Sequence, residues 1–410
     1  MNVSPSFSPS IKLMKPYFLL SSFLYLLSMF ALLFIDPHAG LGDFSVIAWV
    51  HLYMIGFVMM AIFSAMAQLG VVIVEVKHRS VNIFKYLWIL LLGGLFTMLG
   101  GFYIEIGLLP FGGFLVLIAM SVYTVEFLLT LKDAKRKTSV TKAMKMSSVF
   151  LLLGIMSGIF MSLGLSGVFE FNPHAILKTH VFGLIAGFVL MLIMGISIIL
   201  IPMFGTSKRI SDNEFSYSFI TLSAGVVSML LSPFIFTKLL ENAAYFFTVI
   251  AVVLYFWQLF KMANSRVKVM HDIWAKSMYV GFFSFIVSFL LLSSYLLTHS
   301  DLILKLGMWI LFTGFFGFLI IGNLYKIIPF LVWFHIYSPL IEERAVPMLH
   351  ELLPERLANL QWLFGTFGLA VSSLGLSLGN EMIFYSGAVL MIIGGVLFFI
   401  VINKMVKLNL

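Results

Sequence analysis

The sequence predicts an all-α polytopic membrane protein with twelve transmembrane helices in three four-helix pseudo-repeats. Three observations predict it. Of 410 residues, 61% are hydrophobic and 10% are charged, whereas a water-soluble domain keeps about a quarter of its residues charged. The apolar residues gather into runs near the ~20 residues that cross a hydrocarbon core about 30 Å thick. Two of those runs also align with each other without gaps at a constant offset.

In chain order, residues 1–16 interleave Ser4, Ser6, Ser8 and Ser10 with Pro5 and Pro9, a composition expected of a flexible cytoplasmic tail. A single transmembrane domain, 17–410, follows. Its runs lie near 17–35, 45–74, 83–101, 104–131, 146–168, 175–204, 215–236, 243–260, 277–298, 304–330, 358–379 and 382–403. The second, fourth, sixth and tenth are long enough to require tilt or extension beyond the hydrocarbon. Between the tenth and eleventh runs, 330–357 (FLVWFHIYSPLIEERAVPMLHELLPERL) mixes Trp333, Phe334 and Tyr337 with acids and prolines. Amphipathic rings favour the membrane interface, so this segment is expected to lie on the inner surface.

Orientation follows from the basic residues, because basic loops resist translocation. With both termini cytoplasmic, 21 of the 25 Lys and Arg fall on the inner side, six of them at Lys132, Lys135, Arg136, Lys137, Lys142 and Lys145. Outer loops keep only Lys178, Lys238 and Lys305, and Lys326 is expected to extend to the inner headgroups. The net charge of +8 is therefore a membrane-surface bias, and the partner it indicates is the lipid bilayer, not nucleic acid. The expected location is a bacterial inner membrane.

The sixth and tenth runs, LKTHVFGLIAGFVLMLIMGISIILIPMF from Leu177 and LKLGMWILFTGFFGFLIIGNLYKIIPFL from Leu304, differ by 127 residues throughout. They share Gly187-Phe188 with Gly314-Phe315, Gly195 with Gly322, and Ile201-Pro202 with Ile328-Pro329. The second run joins them by setting Gly56-Phe57-Val58 over Gly187-Phe188-Val189. A spacing of four helices yields units of about 17–131, 146–260 and 277–403, a parallel repeat about the membrane normal.

Cysteine is absent, which excludes disulfides, thiolate metal sites and iron–sulfur clusters. No Walker loop, nucleotide fingerprint, HExxH or Ser-His-Asp context occurs, so hydrolysis and nucleotide-driven transport have no support. Among nine histidines, His51 and His180 stand inside spans, each about 8–9 Å below the outer boundary at ~1.5 Å per residue. Two imidazoles at one depth can ligate haem iron or copper. They can equally bond neighbouring helices near the interface. His38 and His174, both in Pro-His-Ala, and His299 are expected in wet outer loops, solvated or accessory to such a site. Glu105 and Glu126 are intramembrane proton-relay candidates, but each is within about two turns of an interface and is expected to reach water. Gly154/Gly158 and Gly183/Gly187 are small-xxx-small packing pairs.

This topology, the three units and the histidines of the second and sixth runs resemble subunit I of the haem-copper oxidases and nitric oxide reductases. The resemblance extends to the twelve-helix haem- and copper-containing proteins of the nitric-oxide-response family. The segments HVFGLIAGFVLMLIMGISIILIPMF and GNLYKIIPFLVWFH are similar to those of oxidase-like membrane proteins. In that superfamily, histidines of helices 2 and 10 hold low-spin haem, a second helix 10 histidine holds the active-site haem, and helix 6 and 7 histidines hold copper. His51 matches the first of these positions and His180 the helix 6 region. The tenth run has no histidine from Leu304 to Lys326, and the seventh has none from Phe215 to Phe236. The resemblance thus implies a degenerate scaffold with haem b, or copper, at His51 and His180, serving electron transfer, gas sensing or protection against nitric oxide. A redox partner or quinol would supply electrons, and complete oxygen reduction is not expected. Two other readings stay open: a small-solute permease lined by His51, His180 and Glu105, and a cofactor-free assembly partner.

Overall fold

The computed structural model describes residues 8–135, 137–170, 172–235 and 238–407, which are helical with no strand among them. The expectation for residues 1–7 lies outside the described residues. The apolar helices are α1 (Ile11–Phe34), α2 (Phe44–Val74), the shorter α3 (Leu87–Tyr103), α4 (Leu108–Lys132), α5 (Ser139–Leu165) and α6 (Ile176–Gly205). They continue as α7 (Asp212–Ile235), α8 (Lys238–Asn264), α9 (Ile273–Thr298), α10 (Asp301–Leu340), α11 (Glu355–Leu378) and α12 (Glu381–Lys407). Among the described residues eleven helices are long and apolar enough to cross a membrane, and α3 is a shorter apolar helix. The chain is an all-α polytopic membrane protein.

Three boundaries differ from expectation. Residues 11–16, expected in the tail, begin α1: Ile11, Met14, Tyr17 and Phe18 recur at helical spacing and are buried. Pro16 removes one hydrogen bond near the helix start without ending the helix. The fourth run is not overlong, because Ile104–Gly107 form the α3–α4 loop and α4 begins at Leu108. Residues 330–340, expected to lie along the interface, prolong α10 instead, through a π-helical turn (Trp333–Tyr337) and a 3₁₀ turn (Ser338–Leu340). Leu331 and Val332 are buried within its helical part. The chain then folds back, and Trp333 Nε1 donates to Pro347 O at 3.0 Å.

Three helices stand apart. α2, α6 and α10 are the longest, at 31, 30 and 40 residues, and their spans are 78, 83 and 67% buried against at most 50% elsewhere. Each carries a π-helical segment: Leu52–Met59, Gly183–Leu190 and Ile310–Phe316. These segments start at the aligned residues of the sequence repeat, and Gly56, Gly187 and Gly314 each stand fifth in theirs. A π turn inserts an extra residue and redirects every side chain beyond it.

Packing divides the chain into two compact units, residues 70–270 and residues 8–69 with 271–410. These boundaries are not those of the three sequence units. Within the first unit, a Cβ on Gly187 would meet Phe150 Cβ at 2.9 Å, and one on Gly195 would meet Ala143 Cβ at 3.4 Å. Within the second, a Cβ on Gly314 would meet Ser284 Cβ at 2.6 Å, and one on Gly322 would meet Ser277 Cβ at 2.7 Å. In both hairpins, then, two glycines eight positions apart face two residues seven positions apart on the preceding antiparallel helix. α5–α6 and α9–α10 are packed by one rule.

Candidate functional site

His51 and His180 belong to different compact units, and each is described within its own. Asp43 caps α2 by accepting the Ser45 amide, and its hydrogen bonds from Ser45 hold its carboxyl below the usual carboxylate range. Two turns later His51 Nδ1 bonds Ile47 O of the same helix at 2.8 Å. α6 is entered through Pro173 after the cap Asn172, which accepts the His174 amide. Two turns later His180 Nδ1 bonds Gly154 O of α5 at 2.7 Å. A carbonyl only accepts, so in both rings Nδ1 carries a proton. Gly158 makes room for the His180 ring, whose Cε1 would lie 2.6 Å from a Cβ there. The expected Gly154/Gly158 packing pair is a seat for a side chain from α6.

The His180 bond has counterparts in the other hairpins. Under the offsets that align the π segments, Trp49 and Gly307 take the place of His180. Trp49 Nε1 donates to Ser28 O of α1 at 2.9 Å, and Ser288 Oγ of α9 donates to Gly307 O at 2.8 Å. Each hairpin is latched at this aligned sequence position by a side-chain hydrogen bond to a backbone carbonyl across the helix pair. His180 alone of the three brings a second ring nitrogen to its latch.

The remaining expected site residues are exposed. Glu105 accepts the Gly107 amide in the α3–α4 loop. His174 occupies the first turn before α6, and His299 ends α9 in the left-handed region at φ 52°. His38 lies 3.5 Å from Glu381. Lys326 pairs with Asp272 at 2.6 Å, and half-buried His335 is 3.3 Å from Ser8 Oγ.

Sequence reasoning missed a buried polar cluster in the 70–270 unit. His78, expected on the inner surface, has no exposed side-chain area, and its Nδ1 lies 2.9 and 3.0 Å from the two carboxylate oxygens of Glu126. Glu126, expected to reach water, is 5% exposed. Thr130 Oγ1 donates to it at 2.8 Å and the Ser80 amide at 3.4 Å, while the Arg79 amide donates to Thr130. Arg79 then pairs with Asp133 at 2.6 Å. The loop after α2 is thereby pinned to the last turns of α4, and burial of Glu126 is compensated by its donors. Glu126 and Thr130 stand four apart on one helical face, the only part of the cluster with a spacing that sequence periodicity can register.

No family model and no curated protein matches this chain.

Proposed function

We propose that this is a haem-binding integral membrane protein of a bacterial inner membrane, built on a degenerate oxidase-like scaffold of three four-helix repeats with both termini cytoplasmic. The observation that carries the reading is the shared state of His51 and His180. Both commit Nδ1–H to a backbone carbonyl, near the start of a π segment on corresponding helices. Metal-ligating histidines characteristically donate their other ring N–H in this way, which fixes ring orientation and raises basicity. Imidazole is a donor suited to haem b, with copper as a lesser alternative. Bound haem would supply one-electron chemistry or a gas-binding iron, with a redox partner or quinol as electron source. The chain's own part is to hold the two rings against rotation and to surround them with apolar side chains. The equivalent packing of α5–α6 and α9–α10, with latches at aligned sequence positions in three hairpins, supports the repeat.

The visible spectrum of the purified full chain, produced with ample haem, tests this. A Soret band is expected, and His51→Ala or His180→Ala should abolish it or convert a low-spin spectrum, while His335→Ala leaves it unchanged. His180→Gln separates ligand from latch, since an amide N–H can still serve the Gly154 carbonyl while the imidazole is gone. Full cofactor content in both single variants would remove these residues from the site.

The buried His78–Glu126 cluster favours a second reading, a proton-coupled permease for a small solute or ion, because buried ionisable groups mark proton pathways in membrane proteins. A colourless, metal-free preparation that acidifies proteoliposomes on solute addition, and stops doing so with Glu126→Gln, would select it over the first.

A further inference from the structure

Outside the histidines discussed above, one cluster in the unit formed by 8–69 and 271–410 carries the donors of a metal centre. Asp36 and His38 lie in the α1–α2 loop and Glu381 in the first turn of α12, and one ligand atom from each falls within 4.8 Å of the other two. We propose that these three side chains bind one divalent cation of the zinc class. The site is separate from His51 and His180 and independent of whether the protein holds haem.

Donor number, charge and spacing argue for it. One imidazole and two carboxylates form a three-residue set that leaves a fourth, tetrahedral position for water. A neutral imidazole with two carboxylates carries two negative charges, which a divalent ion cancels and a single ammonium does not. Ligands ~2.1 Å from Zn²⁺ lie about 3.4 Å from one another across a tetrahedral edge, and His38 Nε2 is 3.5 Å from Glu381 Oε1. From a separation of at most 4.8 Å, the Asp36 carboxylate needs to close by up to about 1.4 Å to reach that edge, a motion open to an exposed side chain. The nitrogen donor selects zinc-class ions over Ca²⁺ and Mg²⁺, which prefer oxygen.

The loop is held where the site needs it by elements outside the cluster. Tyr385 of α12 donates its hydroxyl to Ile35 O at 3.2 Å, and Lys305 of α10 donates to Pro37 O at 3.1 Å. The carboxylate of Asp36 is oriented by the His38 amide, which it accepts at 2.8 Å. Gly379, at φ 60° after α11, would place a Cβ 3.6 Å from His38 Cε1, so the His38 ring stands at van der Waals distance from this bend. Lys305 answers a carbonyl in this arrangement and leaves the two carboxylates to the third ligand and the ion. A bound ion would staple the α1–α2 loop to the start of α12.

The test is equilibrium dialysis of the full chain in detergent against Zn²⁺ alone, with thermal unfolding followed in parallel. One equivalent should bind and raise Tm, and His38→Ala, Asp36→Asn and Glu381→Gln should each weaken that binding at least tenfold and remove the Tm shift. His299→Ala should retain it, and excess Ca²⁺ should not displace it. All three substituted side chains are exposed, so loss of fold is not expected, and the metal-free Tm of each variant checks this. Absence of zinc binding by the natural sequence, or equal affinity in His38→Ala and Glu381→Gln, would overturn the proposal and leave the cluster as a surface ion pair.

Discussion

Glu126→Ala is expected to lower the stability of the full chain by about 3–5 kcal/mol, the range for removing one partner of a buried pair. The variant strips His78, which has no exposed side-chain area, of its carboxylate partner, and leaves Thr130 Oγ1 and the Ser80 amide without their acceptor. The loop 75–80 loses its anchor to α4 at the same time. Glu126→Gln keeps the shape and one acceptor oxygen, so its loss should be smaller, nearer the ~1–3 kcal/mol of a buried group left partly unsatisfied. Denaturant titration in detergent measures both. A change below about 0.5 kcal/mol in Glu126→Ala would show that the cluster is solvated and takes no part in the fold.

Gly314→Leu is expected to cost about 3 kcal/mol, the upper end for overpacking a close-packed site. Even the first carbon of the new side chain would stand 2.6 Å from Ser284 Cβ and 3.1 Å from Leu369 Cδ2. Glycine's lower helix propensity, about 1 kcal/mol against the best formers, offsets only part of that. Gly187→Leu should behave alike, because its Cβ would meet Phe150 and Val226 at 2.9 Å each. Gly40→Ala is the control, with nothing within 4 Å of the added carbon. Unfolding midpoints of the three variants decide the matter: equal values for Gly314→Leu and Gly40→Ala would mean that the α9–α10 contact is loose.

Much of the fold is legible in one dimension because the membrane imposes a local rule. A span must be apolar over its own length, so all twelve expected runs fall on helices. Errors sit where a different force takes over at a span's end. Helix periodicity carries α1 back to Ile11 across Pro16, and burial of Leu331 and Val332 carries α10 beyond the residue where polar composition resumes. The Gly-Phe register also identified the residues of the π segments without identifying the π geometry. Hydrophobic periodicity registers a helix and does not separate a π turn from an α turn.

The sequence alone determined the class of the molecule, its apolar runs, and the shared Gly-Phe register of the runs containing Gly56, Gly187 and Gly314, since each depends on residues at fixed short spacing. Tertiary structure decided what the polar residues do. His78 with Glu126, His180 with Gly154, and Asp36 and His38 with Glu381 are separated by tens to hundreds of residues, and no periodicity links them. A lone carboxylate near a helix end is read as solvated because water is its cheapest partner. Only the packing of α4 against the returning loop reveals that protein donors have taken water's place.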